Sequence, residues 1–156
     1  LFPALLHGGY SRSFSLGLLL WPTAPGHGRA QAIASTWDED RGRGFELGLD
    51  ADGFLEVRIG ADGRAAVLRG PTPLVARRWV RVHAAYDERS GELSLAHSFL
   101  RGAAWPEQGA RTTLAAGPGA LAPSGRPFTL AARPADGGAS LCYDGKLEAP
   151  CLSHRS

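Results

Sequence analysis

Residues 79–99, WVRVHAAYDERSGELSLAHSF, show the clearest pattern in the chain. Val80, Val82, Ala84 and Tyr86 alternate with Trp79, Arg81, His83 and Ala85. Leu93, Leu95, His97 and Phe99 then alternate with Glu92, Ser94, Ala96 and Ser98. A period of two places each set on one face of a sheet. Between them, Asp87 to Gly91 has the chemistry of a turn, because Asp bonds its own backbone and Gly accepts positive φ. The segment predicts an antiparallel hairpin. So few polar positions fall on either side of its first strand that it should have neighbours on both edges, with Trp79 buried.

The same alternation recurs on both sides. Phe14, Leu16, Leu18 and Leu20 predict a half-buried strand that Pro22 ends, and residues 31–37 predict a second. Residues 38–44 form a polar loop. Phe45, Leu47 and Leu49 lead through Asp52-Gly53 to Leu55, Val57 and Ile59. A second Asp-Gly turn at 62–63 leads to a short strand over 65–69. Asp-Gly between alternating strands predicts antiparallel pairing. Residues 70–78, with Pro71 and Pro73, read as a crossover loop.

Beyond Phe99 the pattern loosens into Gly, Ala and Pro. Short strands are expected near 112–115 and over 128–132, with a final hairpin from Leu141 through Asp144-Gly145 to Leu152. No segment shows the spacing of an amphipathic helix. About eleven short strands with Gly and Pro punctuation predict an all-β sandwich or barrel.

A length of 156 residues fits a single domain over 1–156. That is long enough to hold a core without staples, burying roughly 68–70% of the unfolded surface. No apolar run approaches the ~18 residues of a membrane-spanning helix, so no membrane partner is expected. The net charge is +2, and the basic residues, of which all but Lys146 are Arg, are interleaved with acids. That argues against a nucleic-acid face. There is no Met, and the chain starts at Leu1, so we expect a piece of a longer protein. There is no Asn either, which excludes N-glycosylation of these residues and removes a side-chain amide ligand for calcium and sugars.

Several groups were weighed as sites. Paired carboxylates for retaining glycoside hydrolysis need about 5–5.5 Å between them. No Glu-x-Asp-x-x-Glu strand pattern exists here, so no catalytic residues are expected. Asp38, Asp40 and Asp87 are the weak calcium candidates, against a solvated loop and a capped turn. Asp50-x-Asp52-Gly53 is similar to half an EF-hand loop, but lacks the third Asp and reads as a hairpin turn. His83 and His97 lie on adjacent strands without a zinc-ligand spacing, and no cofactor is expected. Of the four Trp, Trp105 in a Gly- and Pro-rich loop is the candidate for touching a ligand or partner. Cys142 and Cys151 flank the expected last hairpin. There Cys142 faces Leu147, so a bridge is disfavoured by geometry. Two free thiols suit a cytoplasmic setting, with secretion as the alternative.

The pieces together form a family pattern. Residues 14–22, the pair 44–50 and 53–59, the hairpin 79–87 and 91–95, and the closing segments 128–132 and 143–147 resemble the concanavalin A-like lectin/glucanase superfamily in its laminin-G-like form. The turn after the second hairpin strand departs from the family, running His97-Ser98-Phe99-Leu100-Arg101-Gly102. Trp21-Pro22-Thr23, Gln31 and Ser35-Thr36-Trp37-Asp38 are similar to the jelly-roll module of N,N-dimethylformamidase-like large subunits. The resemblance implies a two-sheet antiparallel jelly roll whose parent carries its amide-hydrolysing site in another domain. It further implies a non-catalytic role in packing against other domains or subunits. A carbohydrate-binding lectin-like module is the alternative.

Overall fold

The computed structural model describes residues 13–100 and 109–155, and among them there is no helix. Twelve strands follow in order: β1 (Ser13–Pro22), β2 (Gln31–Ser35), β3 (Gly44–Leu49), β4 (Phe54–Ala61), β5 (Arg64–Pro73), β6 (Val80–Asp87), β7 (Glu92–Phe99), β8 (Gly109–Ala115), β9 (Thr129–Leu130), β10 (Arg133–Ala135), β11 (Gly138–Ser140) and β12 (Gly145–Arg155). One antiparallel sheet has the order β12-β1-β6-β7-β8 and the other β5-β4-β3-β2-β9, with β10-β11 as a separate hairpin. The architecture is the two-sheet antiparallel jelly roll that the resemblance implies, within the sandwich-or-barrel class that the alternation predicts.

The core lies between the sheets. Leu16, Leu18 and Leu20 of β1, Val80, Val82 and Tyr86 of β6, and Leu93 and Leu95 of β7 face Phe45, Leu47, Leu55, Val57 and Ile59 of the other sheet in one buried cluster. Each fully buried aliphatic side chain contributes roughly 1.5–3 kcal/mol. Phe14 and Phe45 stack across the interface with ring centroids 4.9 Å apart.

The turns set the register. Asp62 and Gly63 both take positive φ between Ala61 and Arg64, as a two-residue type I′ hairpin requires. At the β3-β4 turn, Asp50 Oδ1 accepts from the backbone N–H of Asp52 at 3.0 Å and of Phe54 at 2.9 Å. The Asp50 to Asp52 stretch is thus a hairpin turn, not half of an EF-hand. The central hairpin is as expected, with Asp87 paired to Glu92 and β1 and β8 on its two flanks. Tyr86 ties this hairpin to the loop beyond β8. Its hydroxyl lies 2.8 Å from Gly117 O and accepts from Ala120 N at 3.2 Å.

Four expectations are corrected. Residues 70–73 are strand rather than loop: β5 runs through Pro71 and Pro73, which an edge strand tolerates because it needs no donor on its open side. Only Thr129–Leu130 of the 128–132 segment is strand, and Ala131 turns away at φ 60°. The last hairpin does not form. Cys142 instead bridges Ala32 of β2, and β12 leaves for the other sheet to pair with β1, Leu147 opposite Leu20 and Leu152 opposite Leu16. The Asp144 carbonyl accepts from Thr23 N at 2.9 Å, so Asp144-Gly145 is a sheet-to-sheet corner. Trp79 lies just before β6 and is half-buried, packing on Trp21 rather than in the core.

Candidate functional site: the outer face of the β12-β1-β6-β7-β8 sheet

The two sheets turn different outer faces to their surroundings. On the β5-β4-β3-β2-β9 sheet, Glu46 and its neighbours are covered by the β10-β11 hairpin. Arg133 of β10 grips Glu46 with two bonds of 2.7 and 2.6 Å and reaches Glu39 at 2.6 Å. The bond to Glu46, outweighing burial, raises the Arg133 guanidinium further above its usual range. Ser35 donates to the same carboxylate at 3.0 Å. Trp37 is buried here, its Nε1 donating to Glu39 at 2.9 Å and its ring lying under the Arg58 guanidinium at 5.2 Å.

The other sheet has no such cover among the described residues. Its outward positions follow from the ladder. Cys151, Gly17, His83, Ala96 and Arg111 form one row across five strands, and Ser153, Ser15, Ala85, Ser94 and Thr113 form the next. Small side chains therefore pave the middle of the face. A hollow of about 370 Å³ opens over Ser15, His83, Ser94 and Arg111. A second, of about 320 Å³, opens over Arg81, Ala96, Ser98 and Gly109, and shares His83 and Arg111 with the first. At Gly17 an added Cβ would meet nothing closer than 4.0 Å, so the space above it is open.

Polar groups stand both within this floor and at its margins. Ser15 Oγ and His83 Nε2 are 2.7 Å apart. Among the described residues no carboxylate bonds His83, so the orienting third member of an activated nucleophile is missing. Arg111 faces Glu92 at 3.7 Å. At the opposite end Trp21 and Trp79 meet edge-on, centroids 5.5 Å apart, and Lys146 Nζ lies over the Trp21 ring at 6.0 Å.

The residues singled out from sequence fall elsewhere. Asp38 is buried; its Oδ1 accepts from Asp40 N and Arg41 N at 3.2 and 3.4 Å, and its Oδ2 lies 3.5 Å from Arg126 Nε. Asp40 reaches the same guanidinium at 3.7 Å. Arg126 thus gathers these two acids, together with Asp136. Asp87 ends β6 in the other sheet, where its Oδ1 accepts from Arg89 N at 3.0 Å. Among the described residues no three His, Cys, Asp or Glu side chains form a group that could hold a metal ion. His83 points outward, while His97 is buried on the inner face, 3.3 Å from Thr72 Oγ; burial lowers its pKa. Cys142 and Cys151 are free and exposed. Trp105 lies outside the described residues.

The paved face was not singled out from sequence, yet it left a signal there. The outward positions of β1, β6 and β7 include Ser15, Gly17, Ala85, Ser94, Ala96 and Ser98, a run of small residues broken by Leu19, Arg81 and His83 and ended by Asp87 and Glu92.

No protein-family model matches the chain. Over 84 residues it is 34% identical to the N,N-dimethylformamidase beta subunit of Alcaligenes sp., an alignment of 53% of this chain and 11% of that one. Over 93 residues it is 36% identical to the corresponding subunit of Paracoccus aminophilus, covering 59% and 12%. The chain thus matches little more than a tenth of the length of these relatives. Among solved structures, it is similar in fold to the LG1-3 region of the laminin alpha2 chain, with a TM-score of 0.69 and 8% identity over 92% of this chain and 27% of that one. It is similar as well to the Ruminococcus gnavus IT-sialidase CBM40 bound to alpha2,3 sialyllactose, with a TM-score of 0.62 and 14% identity over 85% and 70%. The chain is a jelly-roll β-sandwich with sequence similarity to a segment of dimethylformamidase beta subunits.

Proposed function

We propose that this module is a non-catalytic packing element of a larger amide-hydrolase-like enzyme, and that the outer face of the β12-β1-β6-β7-β8 sheet is the surface it packs with. One observation carries the reading: Ser15 and Gly17 of β1, Ala85 of β6 and Ser94 and Ala96 of β7 lie side by side on that face around His83, leaving a low floor that another domain or subunit can approach closely. The likeness to a short segment of long dimethylformamidase subunits supports a parent with other domains to receive it.

The rival reading, a carbohydrate-binding module, draws on the CBM40 likeness in fold. Sugar recognition favours an open aromatic face. Among the described tryptophans, Trp37 is buried under Arg58, and Trp21 has Lys146 over its ring and Trp79 against its edge. That favours packing.

Gly17→Gln tests the proposal, because the open space above Gly17 receives the longer side chain without touching the core. In the full-length parent enzyme, the variant should melt as the wild type does and loosen the contact between this module and the rest, read by limited proteolysis and size-exclusion chromatography. An unchanged assembly overturns the packing role. A specific hit for the module on a glycan array, with or without calcium, overturns it in favour of the lectin. We further propose that the module needs no calcium, since Asp38 and Asp40 are committed to Arg126 and Asp87 to its own turn. Ligand binding at a hundredfold excess over Kd adds about 2.7 kcal/mol. A melting shift of several degrees between millimolar calcium and chelator would contradict this.

A further inference from the structure

Charge is distributed unevenly over the module. Seven arginines form ion pairs: Arg41, Arg43, Arg58, Arg69, Arg111, Arg126 and Arg133. Arg29, Arg64, Arg77, Arg78, Arg81, Arg89 and Lys146 are exposed and form none among the described residues, and four of these, Arg77, Arg78, Arg81 and Lys146, lie close together. These four lie at the end of the sheet where Trp21 and Trp79 meet. Arg77 N donates to Pro22 O at 2.7 Å, next to Trp21. Arg78 lies over the Phe99 ring at 5.6 Å. Arg81 stands opposite Leu19 and Ser98, two residues along β6 from Trp79, and Lys146 sits over Trp21. Half-buried Trp21 and Trp79 make the apolar centre of this ring of cations. Exposed Leu100 adjoins them, its N–H donating to Trp79 O at 2.9 Å. The nearest acids along the ladder are Asp144, just before β12, and Glu148 on it, in the row of Arg81 with Leu19 between them, and neither forms an ion pair with these four cations among the described residues.

From this juxtaposition of an aromatic pair and four cations without an ion pair among the described residues, we infer that the Trp21–Trp79 corner docks an acidic polypeptide segment bearing an apolar side chain, presented by another domain or subunit. The inference rests on the packing reading above and names the chemistry of its partner. Unpaired cations on one patch select opposite charge and disfavour partners that lack it. The Trp pair offers edges and a cleft rather than an open ring face, which suits an apolar side chain better than a sugar. A partner that supplied Asp or Glu here would complete ion pairs that the module leaves open. Arginine suits this role because its planar fork binds carboxylates with two bonds.

The test uses this chain and a fluorescent Glu-rich peptide carrying one Phe, in fluorescence anisotropy. The peptide should bind, with an affinity that falls as salt rises. The same peptide with Gln for Glu should not bind. Arg78→Glu with Arg81→Glu, both at exposed positions, should weaken binding about tenfold while leaving the melting curve in place. Equal binding of the Gln peptide, no binding of the Glu peptide, or an unaffected charge-reversed variant overturns the inference. Retention of polygalacturonate in place of the peptide overturns it in favour of an acidic glycan. In the parent enzyme the two claims separate. If Gly17→Gln loosens the assembly and the charge reversal does not, packing stands and the acidic partner falls. If neither loosens it, the packing reading itself has failed.

Discussion

Tyr143 carries its hydroxyl into the interior, and there the oxygen finds no hydrogen-bond partner among the described residues. Burial, with the nearby Asp144 charge adding to it, pushes the phenol well above its usual pKa. Leaving a polar group buried and unmatched costs about 1–3 kcal/mol. Removing the hydroxyl while keeping the ring should therefore help: Tyr143→Phe is expected to stabilise by up to about 1 kcal/mol in urea melts, where most core substitutions destabilise. Destabilisation would mean that the hydroxyl has a partner after all. His97 makes a different case. Burial lowers its folded-state pKa below the ordinary 6.5, so the folded state favours the neutral ring. Stability from this group is then complete above pH 6.5 and falls as the pH drops from 6.5 toward the lowered value. The measurement is the difference between melts at pH 7.5 and pH 5, which should be smaller in His97→Phe than in the wild type. An equal loss in both proteins would assign the acid sensitivity elsewhere.

At the scale of elements, the β10-β11 hairpin is held to its sheet by a buried ion pair. Arg133 and Glu46 are joined by two bonds, and Glu46 is only 7% exposed. Breaking such a pair from one side strands a charge and costs about 3–5 kcal/mol, whereas replacing both partners with apolar residues is often neutral. Arg133→Ala should therefore destabilise strongly in urea, and Glu46→Met with Arg133→Met should recover most of the loss. Additive losses in the double variant would refute the pairing.

The elements also show where sequence reading works. The central hairpin was legible because its alternation, its Asp-to-Gly turn and its pairing are all local. The alternation misled at one position: Trp79 continues the pattern, yet it lies before β6 and meets Trp21, fifty-eight positions earlier in the chain. The final hairpin was misread for a related reason. Asp144-Gly145 carries the local signature of a tight turn, while the partner that captures β12 is β1, at the other end of the described chain. The candidate face was invisible because it exists only once sheet order is known. Ser15, Gly17, Ala85 and Ala96 are unremarkable singly and become a floor when β1, β6 and β7 lie side by side.

The described sandwich is closed by the pairing of its first and last strands. β1 lies between β6 and β12, so the first described strand depends on the last for one of its two ladders. Leu147 and Leu152 of β12 pack against the core from that side, opposite Leu20 and Leu16. Such a long-range closure brings little reward until most of the chain is already ordered, which places it among the slow contacts of folding. It also protects. Without β12, the edge of β1 presents Leu16, Leu18, Leu19, Leu20 and Trp21 along an open row of backbone donors and acceptors. Apolar open edges of this kind template pairing with other chains. A chain ending at Asp144 is therefore expected to be insoluble, or to unfold without a sharp transition, although it keeps every strand of the β5-β4-β3-β2-β9 sheet. Circular dichroism melts and light scattering decide the matter. A soluble truncated chain with a cooperative transition at the wild-type midpoint would show that the sandwich stands without its closing strand, and that β12 serves the outer face rather than the fold.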